Sequence, residues 1–98
     1  MLKNSRIVLI VSLLGLLGCS SAHELSGSGM NVEVQKNKPK DCVVVGKLTG
    51  THEGGSIDLA RNMARNLAAD KGANQIYFGE EFSNGGTWTV IGTAYKCP

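Results

Sequence analysis

Ile57, Ala60, Met63, Ala64, Leu67 and Ala68 recur at intervals of three and four, a spacing that lines them along one face of a helix. Asp58, Arg61, Asn62, Arg65, Asn66 and Asp70 fall on the other side. The pattern predicts a helix from Ile57 to Lys71. Ser56 stands at the N-cap position, Asp58 places a negative charge in the first turn, and Gly72 supplies the usual stop. Because half of the apolar seam is alanine, the helix should lie close to whatever it covers. On either side the pattern changes to that of strands. Cys42 to Thr49 is rich in β-branched residues and bounded by Gly50, Asn74 to Gly79 reads as a second strand, and Gly86 to Cys97 as a third. Glu80 to Gly86 is expected as a turn with a flexible tip. Upstream, Asn31 to Gln35 alternates apolar and polar over a length suited only to an edge strand. Lys36, Lys38 and Lys40 around Pro39 then form a solvated turn.

Strand, helix, strand and hairpin return give a β-α-β-β body of class α+β. The two strands joined through the helix should run parallel with a right-handed crossover.

The longest apolar run lies at the other end of the chain. It extends from Ile7 to Leu17 behind Lys3 and Arg6, which is the layout of a bacterial secretory signal. About 11 residues are too few to span the ~30 Å of a hydrocarbon core. The run closes on Leu16-Leu17-Gly18-Cys19, which resembles the lipobox of bacterial lipoproteins. That resemblance implies a leader over 1–18 that is cut off and a diacylglycerol on the thiol of Cys19. Residues 19–31 are then a lipidated tether, Ser- and Gly-rich, and 32–98 a small domain. A tether of this composition has an r.m.s. span of about 19 Å. In enteric lipoproteins an Asp after the lipidated cysteine retains the protein at the inner membrane. Ser20 stands there instead, so the expected location is the outer membrane, with the domain facing the periplasm.

With Cys19 assigned to lipid, Cys42 and Cys97 remain in a compartment that oxidises thiols. One bridge between them is expected, and it would staple a domain too small for a large core. A two-cysteine metal site or a redox pair are the rival readings. Neither cysteine has a Cys or His at ligand spacing, and no C-x-x-C occurs. The bridge also selects a strand order. Cys42 opens the first strand of the body and Cys97 ends the last, so a bridge requires these strands to be antiparallel neighbours. An intervening strand would hold the cysteines about 10 Å apart. The last strand therefore belongs between the two parallel ones. The expected fold is a small split β-α-β-β sandwich, one helix on a mixed three- to four-stranded sheet, stapled by one disulfide.

Of ten Lys and Arg residues two lie in the leader, so eight basic residues balance eight acidic ones in the remainder. The excess positive charge belongs to export and gives no footing for nucleic-acid binding.

A wider resemblance covers nearly all of the chain after the leader. Its residues are Cys19, Glu24-Leu25-Ser26, Cys42, Gly46, Gly50, Gly54-Gly55, Ala60-Arg61-Asn62, Ala68-Ala69, Gly72 to Tyr77, Gly92 and Tyr95-Lys96-Cys97-Pro98. Together they resemble the small bacterial lipoproteins grouped as domain of unknown function 4156, and more distantly the Rcs envelope-stress sensor lipoprotein. The latter carries two disulfides in its sensor domain, whereas this chain can close one, so no functional residue is carried over.

The candidate chemistry is sparse. No Ser-His-Asp set, paired carboxylates with a pocket or phosphate-cradling glycine motif is present, so the chain reads as a non-enzyme without cofactor or metal, its only prosthetic group the lipid on Cys19. His52 and Glu53, in a loop before a helix N-terminus, are the candidate polar site. Arg61 and Arg65 on the polar helix face, with Phe82 at the hairpin tip, are the candidate interaction surface. The expected partners are the membrane through the anchor and an envelope protein at that surface. The function expected is a non-catalytic interaction or envelope-sensing module. The alternatives are a small-ligand or metal binder and a structural surface lipoprotein.

Overall fold

The computed structural model describes residues 23–98. The leader over 1–18 and the lipidation site Cys19 lie outside the described residues. A 3₁₀ turn at Gly29–Asn31 leads into strand β1 (Glu33–Gln35) and strand β2 (Val43–His52). Helix α1 (Ile57–Asp70) follows, then strands β3 (Gln75–Asn84) and β4 (Thr87–Lys96). The sheet order is β1-β3-β4-β2. β4 runs antiparallel to both β3 and β2, so β2 and β3 are parallel with β4 between them, and β1 adds parallel to β3 at the edge. This is the α+β arrangement expected from the cysteines. Cys42 and Cys97 are bridged, with their α-carbons 4.5 Å apart, one step beyond the Val43–Lys96 pair.

α1 forms where its pattern places it. The Ser56 hydroxyl accepts a hydrogen bond from the Leu59 N–H at 3.2 Å, satisfying one donor of the open first turn. At the other end Gly72 has φ +83°, the Gly72 N–H reaches the Ala69 carbonyl and the Ala73 N–H reaches that of Ala68. This pair of bonds is a Schellman closure, which a left-handed glycine permits. Ser56→Ala should therefore lower stability by about 1 kcal/mol, read as a fall in the urea midpoint. An unchanged midpoint would show that the cap contributes nothing.

The core is a thin layer between α1 and one face of the sheet. Ala60, Ala64 and Ala68 are fully buried against Leu48, Ile76, Val90 and Ala94. The alanine seam brings the helix backbone almost onto β2, and Gly50 is where the two meet. A Cβ at Gly50 would sit inside contact distance of the Ala60 carbonyl oxygen and 3.1 Å from the Ala64 nitrogen. Gly50 thus corrects the expected strand boundary. It does not end β2, which continues to His52; it opens space for the helix.

The hairpin differs from expectation in the same way. Gly79 does not end β3. An irregularity between Phe78 and Glu80 absorbs it as a bulge, and pairing resumes through Phe82 opposite Thr89 to Asn84 opposite Thr87. The turn shrinks to Gly85 and Gly86, both at positive φ (59° and 85°), the glycine pair that a two-residue hairpin turn of this twist prefers.

The reading of 19–31 as a free tether is corrected over its described part. His23 to Val32 is fastened along the polar face of α1. The Asn66 amide donates to the Glu24 carbonyl at 2.7 Å and accepts from the Ser26 N–H at 2.9 Å. The Asn62 amide donates to the His23 carbonyl at 3.2 Å. Gly29 is buried, with no room for a side chain beside Asn66 Oδ1. Val32, fully buried, closes the segment into the core.

Candidate functional site

Arg61 and Arg65 leave the same face of α1 toward different tasks. The Arg65 guanidinium donates to the Val32 carbonyl at 3.0 Å and the Met30 carbonyl at 3.4 Å, so it fastens the 3₁₀ turn. Arg61 reaches across to β3 and grips Glu81 in a bidentate pair, Nε to Oε2 at 2.5 Å and Nη2 to Oε1 at 2.9 Å, with Asp58 3.5 Å away. The Glu81 hydrogen bond raises the pKa of the guanidinium, against the opposing effect of desolvation. Both side chains remain about a third exposed, so the pair contributes at most ~1 kcal/mol.

Glu81 is available to Arg61 because of the bulge. Ile76 and Phe78 point to the helix side, and a regular strand would send Glu80 and Phe82 after them. The extra residue at Gly79 reverses the alternation. Glu81 pairs with the fully buried Val90 on the helix side, and Phe82 faces out from the opposite face, 45% exposed. The expected surface of Arg61, Arg65 and Phe82 is therefore not one surface. Arg61 and Phe82 lie on opposite sides of the sheet, Phe82 sits in a paired strand and not at the hairpin tip, and Arg65 is engaged with backbone.

What Arg61 does line is a groove. Between α1 and the sheet edge, Val34, Gln35 and Lys36 face Arg61 and Glu81 across the Phe78 ring, enclosing about 420 Å³ open to solvent. Val34 is 47% exposed there. An apolar floor with an ion pair on one wall and a lysine on the other suits an apolar side chain carried by a segment with a negative group nearby.

His52 and Glu53 occupy the far end of the domain. The His52 Nδ1 accepts from the Ser56 N–H at 3.1 Å, which places its ring against the start of α1. His23 packs edge-on against it, ring centroids 4.8 Å apart, and donates through Nε2 to the Thr51 carbonyl at 2.7 Å. A cleft of about 240 Å³ lies among His23, Thr51, His52, Glu53, Gly54 and Met63. Among the described residues no three His, Cys, Asp or Glu side chains converge as a metal site would require. His23 left only a weak signal in the sequence, a lone histidine in a stretch without apolar periodicity. Asn62 and Asn66, the clamps of the N-terminal segment, left a faint one in their spacing of four on the polar face.

No family model matches the chain. No helix among the described residues is long and apolar enough to cross a membrane. In fold the domain is similar to the solution NMR structure of a secreted protein, STM0082, of Salmonella typhimurium LT2. The TM-score is 0.50 at 22% identity, and the match covers 57% of this chain and 57% of that one. In sequence it is similar to the uncharacterized protein YjeI of Escherichia coli K12 and of Shigella flexneri. Each is 36% identical over 101 aligned positions, which take in 85% of this chain and 86% of the relative. On that identity and coverage, the chain belongs to the YjeI family of uncharacterized bacterial proteins.

Proposed function

We propose that this chain is a lipoprotein of the outer membrane, anchored through Cys19, whose periplasmic domain works by surface contact as a non-catalytic interaction or envelope-sensing module. The observation that carries this reading is the groove between α1 and β1. Its exposed Val34 and half-buried Phe78 form an apolar strip beside the Arg61–Glu81 pair, the composition of a contact surface with a polar rim. An extracytoplasmic location is supported by the Cys42–Cys97 bridge, since such bonds persist in oxidising compartments, and by the secreted neighbour in fold. The resemblance to the lipoproteins grouped as domain of unknown function 4156 points the same way. The outer-membrane assignment rests on Ser20 following the lipobox cysteine.

The test is crosslinking capture from intact cells with the full-length chain. Val34→Asp and Arg61→Glu alter exposed or half-exposed side chains and should leave the fold intact. Each is expected to reduce recovery of an envelope partner by about tenfold, the loss of a contact worth ~1.4 kcal/mol. Phe82→Ala, on the opposite face, should leave recovery unchanged. Full recovery with both groove variants would move the contact surface elsewhere. Palmitate labelling that persists in Cys19→Ser would remove the lipoprotein part of the reading.

A further inference from the structure

The clamped segment fixes more than its own path, because it determines how near the domain must stay to its anchor. His23 is hydrogen-bonded to Thr51 and its carbonyl is held by Asn62. Thr51 pairs with Thr89 and Thr89 with Phe82, so His23 sits level with the row Thr51, Thr89, Phe82. Beyond that row, among the described residues, lie the Ser83, Trp88, His52 row, the Asn84–Thr87 pair, the Gly85-Gly86 hairpin and the Glu53 to Gly55 loop. The loop and hairpin adjoin, with a Cβ at Gly55 falling 3.5 Å from the Gly86 carbonyl. In the other direction the β4 ladder continues from Thr89 to Lys96 and the disulfide, seven residues or ~24 Å.

Three residues separate Cys19 from His23, four steps of the chain, and even fully extended these span at most ~14 Å. A domain standing on its disulfide end would hold His23 ~24 Å above the bilayer, beyond that reach. We propose that the hairpin end is the membrane-facing end of the domain. Gly85-Gly86, the Glu53 to Gly55 loop and the exposed Phe82 ring lie against the phospholipid surface, and the Cys42–Cys97 end points into the periplasm. The clamp of Asn62 and Asn66 on residues 23–26 replaces a long swinging tether by a short stalk, so α1 and its groove are presented at a fixed height and tilt. This inference rests on Cys19 carrying lipid, as proposed above.

The chain has one tryptophan, Trp88, at the proposed lower end, and it can report the orientation. The full lipoprotein is reconstituted into phosphatidylethanolamine–phosphatidylglycerol vesicles containing a dansyl-labelled headgroup lipid, and energy transfer from tryptophan is measured. A second chain, carrying Trp88→Phe with Lys96→Trp, moves the reporter to the disulfide end. A height difference of ~27 Å along the ladder should make transfer from Trp88 at least about threefold greater. Asn62→Ala with Asn66→Ala should bring the two reporters toward equality while vesicle binding persists. Amide hydrogen exchange on the unaltered lipoprotein is the second measurement. Residues 53–55 and 84–87 should slow on vesicles relative to the Cys19→Ser chain in solution, and the turn at 71–73 should not. Equal transfer from the two reporters, or slowing at 71–73 in place of 84–87, would overturn the orientation. Absence of palmitate label and of vesicle binding in the unaltered chain would instead overturn the lipid anchor, and the orientation with it.

Discussion

Removing the Cys42–Cys97 bridge by Cys42→Ala with Cys97→Ala is expected to cost this domain about 4 kcal/mol of stability. The two cysteines are 55 residues apart, so the bond closes most of the folded body into one loop, and long loops restrict the unfolded chain most. Against this stands a total of roughly 0.05–0.15 kcal/mol per residue for small domains, so the loss takes a large share. Native contacts will retain part of the geometry. The Asn74 side chain donates to the Cys97 carbonyl and accepts from the Cys97 N–H, both at 2.8 Å, and holds the end of β4 against β3 without the sulfurs. Among the described residues no side chain clamps the Cys42 backbone in this way. The first residues of β2, where Val43 and Val44 are exposed, should therefore loosen first. The check is a urea titration of the double variant beside the oxidised chain, with amide exchange at Val43 to Val45. A midpoint fall worth less than about 1 kcal/mol would show that strand pairing alone fixes this end.

That bridge was also the part of the fold most legible in the sequence. Cysteine positions at the start of one strand and the end of another constrained the order of three strands, and the α1 seam of alanines gave the helix and its face. The local errors share one cause. Gly50 and Gly79 each look like a strand end, because a glycine that closes a run of sheet-forming residues and is followed by polar ones ordinarily breaks a strand. In the structure each answers to a tertiary demand that a single strand does not display. Gly50 admits the helix backbone, and Gly79 forms a bulge that turns Glu81 toward Arg61 and Phe82 away from it. The surface of Arg61, Arg65 and Phe82 dissolved through that one reversed alternation. The fastening of residues 23–32 is hidden in the sequence for a related reason. The segment carries no apolar periodicity of its own, and the bonds that hold its backbone come from Asn62, Arg65 and Asn66, far along the chain.

The same close approach yields the other large expected effect. Gly50→Ala should destabilise the domain by about 3 kcal/mol, at the upper end for added volume in a packed core. The obstacle is main chain, and this explains the size. A long side chain can swing aside, but a Cβ at position 50 meets the Ala60 carbonyl oxygen, the Ala60 carbonyl carbon at 3.1 Å and the Ala64 nitrogen at 3.1 Å, all inside the helix. Relief requires α1 to lift as a body. Lifting it separates Ala60, Ala64 and Ala68 from Leu48, Val90 and Ala94, and alanines have no length with which to keep contact. It also disturbs the Asn62 and Asn66 clamps, so the N-terminal segment should become sensitive to protease in the same variant. Gly46→Ala is the control, because all that a Cβ there would meet within 4 Å is the flexible Lys71 side chain at 3.9 Å. It should change the urea midpoint by little. If Gly50→Ala matches Gly46→Ala in both midpoint and protease sensitivity, the helix has more freedom above β2 than its alanine seam implies, and the close packing of α1 on Gly50 is not what holds the two layers in register.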